Sequence, residues 1–532
     1  MSELPVGLPR LWRASGPRAV LGTNRPHQRV PFLVTLLATA AALLAVVPVV
    51  IVVGQAASAG GSEVQRLLLR PRIALLIGNT LGLTIAVVVI AALLGLGVAW
   101  VLERTDLPGR AYWRMAGAVP MVIPAFITTY GWVSLTPRVQ GLWGAILILS
   151  LAHYPLVMLP VSAVLRRMDA TLEEAARSLG YGAWQTFWHV TLPQTRPALY
   201  GGCLLIALHL FGEFGAFAML RYPTLTTGIF DQYRLTFNGP AASLLASIVI
   251  LLGGVALVIE RYMRGMTSYA RLGPGTVRRV RRVKLGRLIV LVVPTMVLLV
   301  ALAVGVPLGM LGYWVTHGSS TPIVFADLLQ TTWSTLRLGI GAALLTTLLA
   351  VPVALQAVRA PGRLSTLIER STYLATALPG LVVALALTLA TVRLLRPLYQ
   401  TTALLLVAYA ILFLPLAVVA VQAALRQVPR SLEEAARSCG STPVEVWWKV
   451  TMPLILPGLR AAAGLVFLSS ITELTATLLL APIGTRTLAT EVWANTASLA
   501  YEAAAPYALV LVVLAALPMG LLARYTGVLA QE

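Results

Sequence analysis

Two glutamates, Glu213 and Glu473, lie 260 residues apart in stretches that are otherwise almost wholly apolar. A carboxylate among aliphatic side chains is costly to desolvate, so it needs a partner or a task. Two carboxylates facing one path would offer hard oxygen ligands, the donor type that a small, highly charged cation prefers. His209 stands one helical turn before Glu213 and is placed to join them. The same carboxyls could instead bond a neighbouring helix as structural glue, and a lone histidine is commonly a polar packing residue. Each glutamate falls sixteen residues beyond a repeated proline, Pro197 or Pro457. That is about 24 Å along a helix rising 1.5 Å per residue, which puts both in the outer third of a membrane. Two carboxylates do not make a cage, and no cluster of His, Cys, Asp or Glu has metal or nucleophile spacing. No metal site and no catalytic residue is assigned.

The glutamates belong to a larger repetition. Glu173-Glu174-Ala175-Ala176-Arg177-Ser178 returns as Glu433-Glu434-Ala435-Ala436-Arg437-Ser438, and Gly180, Trp188, Thr191, Pro193 and Pro197 recur as Gly440, Trp448, Thr451, Pro453 and Pro457, all at the 260-residue offset. Thr171 with Glu174, and Ser431 with Glu434, have capping-box spacing, which predicts a helix start at each hexapeptide. Leu172, Ala175, Ala176 and Leu179 then form a narrow apolar stripe, as do Leu432, Ala435, Ala436 and Cys439. Gly180 and Gly440 interrupt the stripe, and a second begins at Trp184 or Val444. The pattern reads as helix, glycine turn, helix, with Pro193 and Pro197, and Pro453 and Pro457, ending the second helix and leading into the next span. Alone it would suit amphipathic helices resting on a bilayer; its repetition suggests a shared partner in water.

What must position these loops is a membrane. Hydrophobic residues make up 58% of the chain and charged residues 11%, with a mean hydropathy of +0.85. A soluble surface would demand about twice that charge. Apolar runs long enough to cross a bilayer as helix are expected near 31–54, 76–101, 115–135, 143–165, 198–219 and 241–260. They return near 288–312, 334–358, 372–394, 401–424, 459–480 and 505–523. The fold class expected is an all-α integral membrane protein of about twelve spans, arranged as two parallel six-helix repeats. Parallel repeats place a transport path on the axis between them. The organisation read from this is a basic tail (1–30), a first repeat (31–262), a basic linker (263–287) and a second repeat (288–532). Tail and linker carry arginines such as Arg10, Arg29, Arg278 and Arg282 almost without acids, which predicts that both, and both termini, are cytoplasmic. The net charge of +21 reflects this topology and contact with anionic lipid rather than nucleic-acid binding, because no aromatic residues interleave the charge. Cys203 and Cys439 are the two cysteines, and neither a disulfide nor a metal-thiolate framework follows.

At the repeated loops the sequence resembles the cytoplasmic EAA loop of bacterial ABC-importer permeases: Glu174-Ala175-Ala176, Gly180, Val190 and Leu192-Pro193 in one copy, and Glu434-Ala435-Ala436, Gly440, Val450 and Met452-Pro453 in the other. The resemblance implies that each loop docks on an ATP-binding subunit and carries its closure into the membrane. ATP would be used by that partner, since the two lysines, Lys284 and Lys449, are followed by Leu and Val and so complete no P-loop. It also implies two ATPase copies, one extracytoplasmic substrate-binding protein and a bacterial inner-membrane location. Met121-Val122-Ile123-Pro124-Ala125-Phe126, Gly212-Glu213-Phe214-Gly215 with Thr226-Thr227-Gly228-Ile229, and Thr472-Glu473-Leu474-Thr475-Ala476-Thr477-Leu478 resemble segments of fused ferric-iron permeases. Thr472, Thr475 and Ala481 depart from that family's Lys, Pro and Arg. Ferric iron is the substrate this implies. Thiamine or a phosphonate-type solute, carried by other fused permeases, stands as the alternative. A twelve-span proton-coupled carrier would share the architecture but would not need two EAA loops.

Overall fold

The computed structural model describes residues 30–58, 60–61, 65–66, 69–265, 282–318 and 324–525. Nearly all of the basic tail and most of the linker lie outside the described residues. In hydrocarbon every backbone N–H must bond within the chain, so the apolar runs fold as helices. The first half contains α1 (Phe32–Ser58), α2 (Pro71–Arg104), α3 (Arg110–Ala118), α4 (Ala125–Leu135), α5 (Leu142–His153), α6 (Pro155–Arg167), α7 (Ala170–Ser178), α8 (Ala183–Thr186), α9 (Leu192–Gly212), α10 (Gly215–Met219), α11 (Leu225–Phe230) and α12 (Gly239–Gly265). The second half contains α13 (Ile289–Val300), α14 (Val306–His317), α15 (Phe325–Arg359), α16 (Arg363–Leu374), α17 (Gly380–Leu394), α18 (Thr402–Gln427), α19 (Arg430–Ser438), α20 (Pro443–Val446), α21 (Met452–Ile471), α22 (Thr475–Leu480), α23 (Leu488–Ala497) and α24 (Tyr501–Tyr525).

Among the described residues, eight helical runs are long and apolar enough to cross a membrane alone, and ten if two bent pairs count as one span each. The two other predicted runs correspond to α9, of 21 residues, and α24, of 25. Four of the twelve expected spans are not straight rods. Those near 115–135 and 372–394 are elbows: α3 with its 3₁₀ extension meets α4 at 90°, and α16 meets α17 at 107°. Pro124 and Pro379 stand at the turns in extended backbone, where a residue without an N–H cannot continue the helix. The runs near 198–219 and 459–480 break at the glutamates, since α9 ends at Gly212 and α21 at Ile471.

The first span of each half packs on the opposite half. Ala38, Ala41, Ala42 and Ala45 of α1 share a core with Ala342, Ala343 and Ala350 of α15, small residues that let helix backbones approach closely. Thr35 Oγ1 donates to Gln356 Oε1 at 3.1 Å, tying the start of α1 to the far end of α15. In the mirror arrangement α14 packs on α4, where a side chain at Gly131 would collide with Pro307. Tyr130 Oη donates to the Tyr501 carbonyl at 2.6 Å, a second stitch between halves. The two repeats are thus interlocked.

Candidate functional site

Each repeated loop is a short helix closed by a glycine, and the two helices start differently. The short helices α7 and α19 begin before the predicted caps: Asp169 Oδ1 accepts from the Thr171 N–H at 3.1 Å, and Pro429 occupies the other N-cap without a side-chain cap. Asp169 and Pro429 take the extended backbone of a cap, which places Thr171 and Ser431 inside the first turn. The expected capping boxes with Glu174 and Glu434 therefore do not form, and both of these carboxylates stand on the exposed side. At the other end both helices close identically. The N–H of Tyr181 reaches the Ala176 carbonyl and that of Gly180 reaches Arg177; Ser441 and Gly440 repeat this on Ala436 and Arg437. This Schellman closure needs a left-handed residue, supplied by Gly180 at φ +90° and Gly440 at φ +87°.

The residue before each EAA triplet proves to be the anchor. Glu173 is buried and meets Arg104 of α2 at 2.9 Å, and its Oε1 accepts from Thr191 Oγ1 at 2.9 Å. Glu433 meets Arg359 of α15 at 2.6 Å and accepts from Thr451 Oγ1 at 3.1 Å. Each loop helix is thereby fastened to the end of a long span. Sequence reasoning missed these roles, although Glu173, Glu433, Thr191 and Thr451 all lie within the repeat; the arginines stand 69 and 74 residues away from their partners. The last described part of the linker joins the first anchor. Val283 pairs with the backbone beside Arg104, and the Leu285 N–H donates to Asp106 Oδ1 at 2.8 Å.

Pro193 and Pro453 do not end the second helix of the loop. Residues Phe187–Thr191 and Trp447–Thr451 form π turns that run straight into α9 and α21. A π turn widens the helix where proline would clash with a preceding carbonyl and offers no donor. The expected apolar stripe is also divided. Ala176 is buried and Ala436 half-buried, whereas Ala175, Ala435 and Cys439 are exposed. The outer surface carries Leu179, Tyr181, Trp184 and Trp188 in one loop, and Leu432, Val444 and Trp448 in the other. Exposed aromatic and aliphatic side chains on a rigid support suit a docking face.

Glu213 and Glu473 lie where the halves meet. Glu213 Oε1 accepts from the Ala216 N–H at 2.8 Å, and Glu473 Oε1 from the Ala476 N–H at 3.0 Å and from Thr475 Oγ1 at 2.6 Å. Each carboxylate caps the short helix that follows it, and Thr475 has a use at its departure from the iron-permease pattern. Thr226 and Thr477 clasp the Glu213 and Glu473 carbonyls at 2.6 and 2.7 Å. The proline elbows close around these caps. A side chain at Gly380 would strike the Glu473 carboxylate, and one at Gly215 would press on Leu474 and Phe126. Phe214 of the first half packs on Trp493 of the second with ring centroids 5.2 Å apart. His209 does not join them. Its Nδ1 lies 2.8 Å from the Leu205 carbonyl and its ring packs edge-on against His153 at 5.9 Å. Because α9 stops before Glu213, the one-turn relation expected between the two is lost. Among the described residues no group of three or more His, Cys, Asp or Glu is arranged to hold a metal.

Two interlocked sets of broken spans, with two repeated loops each anchored to the end of a long span, define a membrane component built from two like halves. The chain belongs to the family of binding-protein-dependent transport system inner membrane components, which it matches over residues 108–264 and again over 346–526. It is a multi-pass inner-membrane permease and not an enzyme. It is 38% identical over 502 residues to the Fe(3+)-transport system permease protein FbpB 2 of Haemophilus influenzae, covering 94% of this chain and 99% of the relative. Shorter relatives match about a third of the chain. They include the molybdenum transport system permease protein ModB of Escherichia coli K12, 27% identical over 193 residues (32% of this chain, 83% of the relative). Another is the sulfate transport system permease protein CysW of Synechocystis, 31% identical over 199 residues (33% of this chain, 71% of the relative).

Proposed function

We propose that this chain forms the whole membrane path of an ATP-driven importer for ferric iron, working with two copies of an ATPase subunit and one extracytoplasmic binding protein. The observation that carries the substrate is the end-to-end similarity to a ferric permease, since the molybdenum and sulfate relatives match only about a third of the chain. Two docking loops in one polypeptide support one ATPase copy per loop. Orientation follows from their use. With the loops in the cytoplasm, the tie between Thr35 and Gln356 supports a cytoplasmic start of α1, and the linker end beside Arg104 supports the same side for the linker. Residues 31–262 and 288–532 serve as the two working halves, ATP is used by the partner, and this chain binds no cofactor.

The mechanism follows from the anchors. ATP-driven closure of the ATPase dimer draws the loops around Gly180 and Gly440 together. The buried pairs Arg104–Glu173 and Arg359–Glu433 transmit that movement to the ends of α2 and α15, because a charge pair held in low dielectric resists separation. The spans then part at the elbows around Glu213 and Glu473, opening the path outward to the binding protein. ATP hydrolysis resets it inward.

The test is uptake of labelled ferric iron, with labelled thiamine in parallel, in cells lacking this chain and in cells given it back. Iron uptake that returns with the chain and vanishes when the ATPase is disabled is the expected result. Thiamine uptake alone would replace the substrate, and uptake independent of the ATPase would favour a secondary carrier. Glu473→Gln sharpens the question at the centre, since glutamine keeps the acceptor that caps α22 but removes the charge. Iron uptake falling at least ten-fold in a variant of unchanged thermal stability is expected from a carboxylate on the path; unchanged uptake would leave Glu473 as a cap.

A further inference from the structure

Three aromatic rings drawn from both halves meet beside the glutamates. The Phe214 ring centroid lies 4.6 Å from that of Phe230 and 5.2 Å from that of Trp493. Phe214 follows Glu213 directly and is 2% exposed, so no water-filled space reaches its ring. Phe214 and Phe230 belong to the first half and Trp493 to the second.

The duplication fixes where this group stands. The hydroxyls of Thr80 on α2 and Thr335 on α15 accept the first N–H of α11 and of α23, from Leu225 and Leu488, both at 2.9 Å. Each threonine precedes its anchor arginine, Arg104 or Arg359, by twenty-four residues, about 36 Å along a helix. The N–H groups of Thr224 and Thr487, one residue before each short helix, donate to Thr227 and Thr490 Oγ1, again both at 2.9 Å. The helices α11 and α23 are therefore equivalent, and both start far from the repeated loops. Five residues on from Leu225 and Leu488 stand Phe230 and Trp493, which makes these two rings equivalents. Equivalent side chains lie on opposite sides of the axis that relates the halves, and here both touch one ring. The axis therefore passes through this group. Leu474, which matches Phe214 at the 260-residue offset, reaches the same place, because a Cβ on Gly215 would lie 2.8 Å from its Cδ2.

Between parallel repeats the transport path lies on that axis. An apolar constriction there stops a charged solute by excluding the water that solvates it. We infer that Phe214, Phe230 and Trp493 are residues of the path and close it on the side away from the repeated loops. Phe214 and Leu474 fill the axis, and Phe230 and Trp493 flank them. The seal is unequal, since the first half supplies a ring where the second supplies a leucine. Opening must break the contact between Phe214 and Trp493, which crosses from half to half, whereas Phe214 and Phe230 share a half and can stay together. The inference rests on the importer reading above and names the residues that part when the path opens outward.

The test uses the full-length chain in cells that hold its partners, with Cys203→Ser and Cys439→Ser as background and Phe214→Cys paired with Trp493→Cys. A short bifunctional thiosulfonate should join the pair, seen as a linked peptide by mass spectrometry, and cut ferric uptake at least ten-fold. Dithiothreitol, which cleaves the link, should restore it. Uptake that persists with the pair joined would overturn the inference. Trp493→Cys alone keeps the buried Phe214 ring and gives a reading that packing by itself would not move. In right-side-out vesicles an impermeant thiol reagent should react with this cysteine at least ten-fold faster when the vesicles are loaded with ATP and vanadate, which hold the ATPase closed, than without nucleotide. Equal rates in the two conditions would overturn the inference as well. Ferric uptake by the paired variant before any reagent is added is a separate measurement, so a failed seal leaves the importer reading standing.

Discussion

In the first repeated loop Glu173 is held between Arg104 and Thr191; in the second, Glu433 is held between Arg359 and Thr451 with the same connectivity. Around this shared anchor the loops diverge. Asp169 caps α7, whereas Pro429 precedes α19 without a side-chain cap. Thr442 and Glu445 form a full capping box at α20, whereas at α8 Gln185 reaches back to the Gly182 N–H alone. The outward faces differ too, with Tyr181, Trp184 and Trp188 in one and Val444 and Trp448 in the other. Duplicated sequences drift wherever drift is tolerated. What the two copies share is the link between loop and span, and what they vary is the local means of starting a helix.

Breaking an anchor should have the largest effect. Arg104→Ala leaves Glu173 buried without its counter-charge, a loss of about 3–5 kcal/mol, and Arg359→Ala should match it. Thermal unfolding of the purified variants measures both, and a clear inequality would end the equivalence of the two links. The double replacement Arg104→Met with Glu173→Leu should recover most of the stability without recovering uptake; full uptake would reduce the anchor to a strut.

Glu174→Arg combined with Glu434→Arg comes next. Both carboxylates are exposed, so the chain should remain in the membrane at normal abundance while ATP-dependent uptake falls to background. Uptake at the original rate would remove these residues from the docking contact. Gly180→Ala and Gly440→Ala should each cost roughly 1 kcal/mol, from the strained left-handed backbone alone, because an added Cβ would meet nothing within 4 Å in either loop. Equal shifts in melting temperature would sharpen the comparison. The smallest effect belongs to Thr442→Ala, which removes a cap worth about 1 kcal/mol or less. Hydrogen exchange should quicken at residues 443–446 in that variant and stay unchanged at residues 183–186.

Much of the plan was legible in the chain. Composition required a membrane protein because so few charges cannot cover a soluble surface, and the 260-residue echo required two copies of one module. Gly180 and Gly440 were readable as helix stops, and the structure gives both a positive φ. Other signals are present in the sequence but have their effect only in the fold. Pro124 and Pro379 sit inside runs that hydropathy alone reads as continuous, and they bend those spans by 90° and 107°. Thr171 and Ser431 had the spacing of caps, yet Asp169 and Pro429 took that place. Pro193 and Pro453 looked like terminators because sequence does not announce that a π turn will absorb them.

The chain by itself determined the solvent, the duplication and the positions of the two repeated loops, because hydrophobicity, glycine and repetition act within a few residues of where they are written. Only the tertiary structure decided which glutamate of each Glu-Glu pair is buried, since that depends on an arginine at the end of a distant span. It also placed Glu213 and Glu473 at helix caps between the halves and His209 against His153. It alone crossed α1 and α14 onto opposite halves: an apolar helix face specifies that it will be covered, and shape and close approach choose the helix that covers it.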